Sequence, residues 1–277
     1  MFNIGINRFG GETPPVIKNL LYINGLMLLA TYALLNTFKI DLTDSLALFY
    51  PESSHFKVYQ LITHMFMHAD IKHVALNMFI LWMFGRALEN VWGSKRFLVY
   101  YIATGLGAAF LHEFVNYIEI MPLKHAVEEF VNSPSPEMMA EFTRRFIEYP
   151  KYHDQFLTFA AEWSVNSTNP IYTSNAINMV YSMYDSLISI PTVGASGAVY
   201  GVLLGFGMLF PNTELRFIFF PIFPIKAKYI VMFMGGAALY NGLTQPGSNI
   251  AHFAHLGGML FGFLIIKYWN RKSSNFY

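Results

Sequence analysis

The chain has 277 residues, 54% of them hydrophobic and 13% charged, with a mean hydropathy of +0.37 and a formal net charge of +1. An ordinary soluble domain carries about 25% charged residues, so the composition excludes that class and points to a membrane protein. Cysteine is absent, which excludes disulfides and thiolate metal sites.

Six apolar runs approach or reach the ~20 residues needed to cross ~30 Å of hydrocarbon. They cover 20–38, 59–84, 97–115, 193–210, 229–243 and 250–269, the fifth being the shortest. The first is too long for the core of a cleaved signal and is followed by no small-x-small site, so it reads as a retained anchor. With the N-terminus in the cytoplasm, residues 1–18, 85–97, 211–228 and 267–277 fall inside. They hold eleven basic and three acidic residues, against seven and fourteen in the remainder. Short loops rich in Lys and Arg stay cytoplasmic, which places both termini there. Together these features are read as those of an integral protein of a bacterial inner (cytoplasmic) membrane.

The second run carries His64, His68, His73 and Asn77. Polar side chains inside a span are costly and are functional candidates. His73 and Asn77 are four apart and share a helix face, where two donors can hold an oxyanion. His64 and His68 are also four apart, which leaves metal or haem ligation open, with His252 or His255 as further ligands. A zinc site wants a third ligand and often a carboxylate base, and no His-Glu-x-x-His occurs. His68 is expected to be a hydrogen-bonded core histidine.

Between the third and fourth runs lies a polar stretch with helix signals. Ser135-Pro136-Glu137 reads as a cap, a first-turn proline and a favourable acid, with Pro150 closing that helix. Ile177, Val180, Tyr181, Tyr184 and Leu187 predict an amphipathic helix over about 173–189. The topology puts this insertion outside, on the face where the fourth run begins. A passive helical hairpin is favoured over a lid or docking element. Residues 210–228, with prolines, aromatics, Lys226 and Lys228, read as an interfacial loop.

The fourth run opens with Gly194-Ala195-Ser196-Gly197 and continues through Gly201 and Gly205; the sixth carries His255 ahead of Gly258 and Gly262. Small residues four apart let helices approach closely in lipid. If the two ladders face each other, the Ser196 hydroxyl and the His255 imidazole lie at similar depth, the pairing that activates a serine. Ordinary helix packing is the competing explanation for the glycines, and His255 in the partner run tips the balance away from it. No acid falls mid-span to orient His255, so a dyad is expected. Tyr200, one turn after Ser196, either packs or supports the imidazole. A soluble-hydrolase elbow, Gly-x-Ser-x-Gly, is excluded by Ala198.

Taken together, His64-x3-His68-x4-His73-x3-Asn77, Gly194-Ala195-Ser196-Gly197-Ala198-Val199-Tyr200 and Ala254-His255-Leu256-Gly257-Gly258-x3-Gly262 resemble the motifs of rhomboid intramembrane serine proteases. The resemblance implies an all-α membrane protein, a six-helix rhomboid bundle formed by 1–116 and 190–277, with 117–189 as a helical extracytoplasmic insertion. It implies Ser196 as nucleophile, His255 as general base, His73, Asn77 and the Ser196 amide as oxyanion site, and Tyr200, Gly194 and His68 in support. No metal or other cofactor and no nucleic-acid partner is expected. Transmembrane segments of other proteins would be cut near the outer membrane surface, with 229–249 aiding substrate access. One departure is Tyr59-Gln60, where some members carry Trp-Arg; another is the long insertion. Glu89 is expected to have a structural hydrogen-bonding role.

Overall fold

The computed structural model describes residues 12–147, 150–217, 220–244 and 251–272. Helices dominate, and among the described residues two of them are long and apolar enough by themselves to cross a membrane: α1 (Pro15–Phe38) and α6 (Ser94–Asn132). α6 has 39 residues, nearly twice the ~20 that cross a hydrocarbon layer. The short α2 (Thr43–Leu46) and α3 (Gln60–Thr63) follow α1. After them come α4 (Ile71–Ile80), a π turn at Leu81–Gly85 and α5 (Arg86–Trp92). Later come α7 (Pro136–Phe146), α8 (Pro150–Val165), α9 (Pro170–Ile188), the short apolar α10 (Ser196–Leu209), α11 (Ala227–Thr244) and α12 (His252–Lys272).

Contacts divide the chain into two compact units. One comprises Met1–Leu48, His55–Phe114 and Pro191–Tyr277; the other comprises Phe49–Ser54 and Val115–Ile190. The first has a core that includes Ile17, Leu81, Leu88, Phe97, Val202 and Phe206. Within it, α1 starts at Pro15 without a side-chain cap of its own. Its first amides are met from α5, where the two Glu89 oxygens accept from Val16 N (3.0 Å) and Ile17 N (2.9 Å). Ser94 Oγ donates to the same carboxylate at 2.7 Å. This is the structural role expected of Glu89, and it satisfies donors that a helix start leaves unpaired.

The second unit has its own core, with Leu123, Phe130, Phe142, Trp163, Ala176 and Val180 among its buried residues. Ser135 caps α7 by accepting from Met138 N, and Asn169 caps α9 by accepting from Ile171 N. Pro150 opens α8 rather than merely closing α7, because proline's fixed φ suits a first helical turn.

Two expectations fail locally. The second apolar run is not one helix: a 3-10 turn at His64–Phe66 is followed by extended Met67, and α4 starts only after Asp70, which caps it by accepting from His73 N at 2.8 Å. The histidine string therefore begins outside α4. The loop expected over 210–228 contains an antiparallel hairpin, β1 (Glu214–Phe217) with β2 (Phe220–Lys226), pairing Glu214 with Lys226 and Leu215 with Ile225. Proline-rich strands survive at such edges, where a missing N–H costs no ladder bond. The substrate-access segment expected to end at Asn249 lies outside the described residues from 245 onward, as do Arg8 and Glu148.

Candidate active site

Ser196 is the first residue of α10, reached through a segment held on both sides. Thr192 and Leu48 exchange backbone hydrogen bonds (3.0 and 2.8 Å), and Gly194 N donates to His64 O at 2.9 Å. At Gly194 φ is +128°, and a Cβ there would meet His73 Cε1 at 2.9 Å and Nε2 at 3.0 Å. Only glycine fits both the turn and the neighbouring ring. The chain then enters α10 with Ser196 in its first turn, where backbone N–H groups have no helical partner and the dipole favours negative charge.

His255 lies in the first turn of α12, four residues past Ala251, whose carbonyl accepts from His255 N at 3.3 Å. α10 and α12 come together tightly: a Cβ on Gly258 would fall on the carbonyl of Gly197. That approach brings the two side chains within reach, with Ser196 Oγ and His255 Nε2 2.9 Å apart. Tyr200 stacks on the imidazole with ring centroids 4.1 Å apart and planes 3° from parallel. His252 stands edge-on to His255 at 6.2 Å and 83°, and its own Nε2 is buried without a partner among the described residues.

α4 supplies the remaining polar groups. Asn77 is buried, and its Nδ2 meets no acceptor among the described residues. A buried donor left unmet costs about 1–3 kcal/mol, which the fold carries at this position. His73 stands against Gly194 and, at 5.0 Å and 73°, against the ring of His68. His68 is buried as expected, and among the described residues neither of its ring nitrogens has a hydrogen-bond partner. His64, by contrast, is buried with Nδ1 2.8 Å from Gln60 O.

A cavity of about 20 Å³, enough for one water molecule, adjoins Ser196. Its polar lining includes His64, His112 and Thr192. His112 Nε2 is 2.9 Å from Thr192 Oγ1. Sequence spacing does not single out His112, because its partner is 80 residues away. Among the described residues no group of three His, Cys, Asp or Glu side chains is placed to hold a metal ion.

A family model described as Rhomboid domain matches residues 55–119 and 168–272, more than half of the chain. RHOMBOID-like protein 12, mitochondrial, of Arabidopsis thaliana is 27% identical over 202 residues, 73% of this chain and 44% of that protein. An uncharacterized mitochondrial rhomboid protein of Schizosaccharomyces pombe is 25% identical over 235 residues, 80% of this chain and 55% of that protein. Rhomboid protease GluP of Bacillus subtilis is 42% identical over a short stretch of 48 residues, 17% of this chain and 10% of that protein. The chain thus spans about half the length of these two mitochondrial relatives. Both are mitochondrial, and this overturns the expected bacterial inner membrane with cytoplasmic termini. Hydropathy and charge sidedness report that a chain is inserted and which way it faces, properties that do not distinguish one such membrane from another.

Proposed function

The chain belongs to the rhomboid family, and from that premise we propose that it is an intramembrane serine endopeptidase cutting transmembrane segments of other proteins. The observation that carries the proposal is the 2.9 Å approach of Ser196 Oγ to His255 Nε2, made by the first turns of two closely packed helices. In this reading α1, the run from α4 through α5, the first part of α6, α10, α11 and α12 are six spans. Residues 117–189 form a helical insertion outside the hydrocarbon. Exposed apolar side chains on the other helices support this, among them Leu76 and Phe79 on α4, and Met232, Phe233 and Tyr240 on α11. A mitochondrial membrane is proposed from the relatives' shared location, which subcellular fractionation reads directly.

The chemistry proceeds in two halves. His255 Nε2 takes the Oγ proton as Oγ bonds to the scissile carbonyl carbon, and the carbonyl oxygen gains a negative charge. The Ser196 N–H, the unmet Asn77 Nδ2 and the His73 ring are assigned to that oxyanion. Such donors act strongly because they are fixed before the charge develops. Collapse of the intermediate breaks the C–N bond, and the imidazolium returns its proton to the leaving nitrogen. Water then attacks the acyl ester with His255 again as base, and the carboxylic acid leaves as Ser196 is regenerated. Tyr200, flat against His255, holds the ring in register through both halves. The cavity lined by His64, His112 and Thr192 is a place from which that water can come.

A fluorophosphonate probe tests the assignment. Labelling is expected on the wild type, to be lost in Ser196→Ala and reduced in His255→Ala. Wild-type protein in a bilayer that neither labels nor cuts any transmembrane reporter would remove the proposal.

A further inference from the structure

α12 presents two unlike faces. One is packed inward: Ile266 is 3% exposed, and Trp269 lies edge-on to Trp92 at 5.6 Å and beside Tyr100 at 6.1 Å. The other is an apolar lane of Leu260, Phe263, Leu264 and Tyr268, each between 41% and 55% exposed. Helical periodicity sets Lys267 and Arg271 on the same side, one and two turns past Phe263, at the end of α12 remote from His255. Both cations are exposed, and neither takes part in an ion pair among the described residues. Like charges four apart on a helix repel one another. The Lys267 ammonium lies 5.5 Å from the centroid of the Phe263 ring, back along the lane rather than beyond the helix end.

From this arrangement we propose that the outward face of α12 binds an anionic phospholipid. Its phosphate bridges Lys267 and Arg271, and its acyl chains lie along Leu260, Phe263 and Leu264. The chemistry is complementary at both ends. A guanidinium holds phosphate through paired N–H donors while an ammonium acts as a point charge. The apolar lane offers acyl chains a surface that water does not contest. A phosphate between the two cations also converts their mutual repulsion into shared attraction. The inference rests on α12 being a membrane span and not on hydrolysis.

Native mass spectrometry of the full chain in detergent, with equal amounts of phosphatidylglycerol and phosphatidylcholine, provides the test. Wild type is expected to retain the anionic lipid about tenfold over the zwitterionic one, from two basic residues at headgroup depth. Lys267→Gln/Arg271→Gln and Lys267→Glu/Arg271→Glu are expected to lose that preference, and Lys267→Arg/Arg271→Lys to keep it. Unchanged fluorophosphonate labelling of Ser196 in the glutamine pair would show that the fold is intact. A preference that survives the glutamine pair overturns the proposal, as does a wild type that retains both lipids equally. Displacement of the lipid by millimolar inorganic phosphate would assign the cations to free phosphate and also overturn it. A dimer that dissociates in the glutamine pair would give the lane to a second copy of the chain. If no lipid is retained, the lipid site and the span reading of α12 fall together, while labelling of Ser196 still reports separately on the hydrolase.

Discussion

At Gly194 two constraints coincide, a positive φ and an imidazole where a Cβ would stand, and both serve to hand the chain into α10 at Ser196. The neighbouring polar groups are specified less by their identity than by what they lack. Asn77 Nδ2 is buried and unmet, an arrangement that costs stability unless an acceptor arrives. If that acceptor is the oxyanion, Asn77→Ala removes about 2.7–4 kcal/mol of transition-state stabilisation. The corresponding fall in kcat is about a hundredfold or more, with the melting temperature unchanged or slightly raised. Steady-state cleavage of a transmembrane reporter measures this, and a variant within threefold of wild type would take Asn77 out of the oxyanion site. For His68, burial follows from position in an apolar run, while its hydrogen-bonding state depends on neighbours that no spacing rule supplies.

Among the elements, the close approach of α10 to α12 decides the geometry, since the 2.9 Å contact exists only because Gly258 admits the Gly197 carbonyl. The glycine ladders announce such an approach in the sequence; the partner each ladder meets is settled in three dimensions. α1 illustrates the reverse. Its apolar run is plain, but the cap that starts it comes from Glu89, more than seventy residues on. Glu89 is 2% exposed, so Glu89→Ala leaves two amides and the Ser94 hydroxyl without their acceptor. A loss of about 1–3 kcal/mol follows, with Val16 and Ile17 exchanging their amide hydrogens earlier than the rest of α1. Exchange of those two amides at the wild-type rate would show that the carboxylate contributes nothing to α1. The break before Asp70 belongs to this scale as well. Hydropathy sees one apolar run, while the 3-10 turn and the Asp70 cap divide it and leave His64 and His68 ahead of α4.

Across the whole molecule, the two units have separate buried clusters, His55–Phe114 and its companions in one and Phe49–Ser54 with Val115–Ile190 in the other. In the second, Glu52 gathers Lys124 of α6 (2.8 and 2.9 Å) and the Tyr184 hydroxyl of α9 (3.2 Å). The hydrogen bond from Lys124 holds the Glu52 carboxyl below its ordinary range, aided by Tyr184 and opposed by partial burial. Because the folded value is the lower one, the contribution is complete above the unfolded carboxylate's pKa of about 4.3. It drains away as pH falls through the folded value. Wild type should therefore lose more thermal stability than Lys124→Met between pH 7 and pH 3, by a small margin since the pair is partly solvated. Parallel melting curves for the two proteins over that range would remove the network from the pH dependence.

Membrane character, the order of the chemistry-bearing residues and the family resemblance were all legible in the linear chain. Each rests on composition or on spacings within a single helix, which 3.6 residues per turn converts directly into shared faces. The 80-residue reach from His112 to Thr192, the cap that Glu89 provides for α1, the β hairpin and the meeting of Ser196 with His255 had to wait for the folded molecule. Contacts between distant segments depend on how whole surfaces pack, and packing is a property of pairs of elements that neither one carries alone.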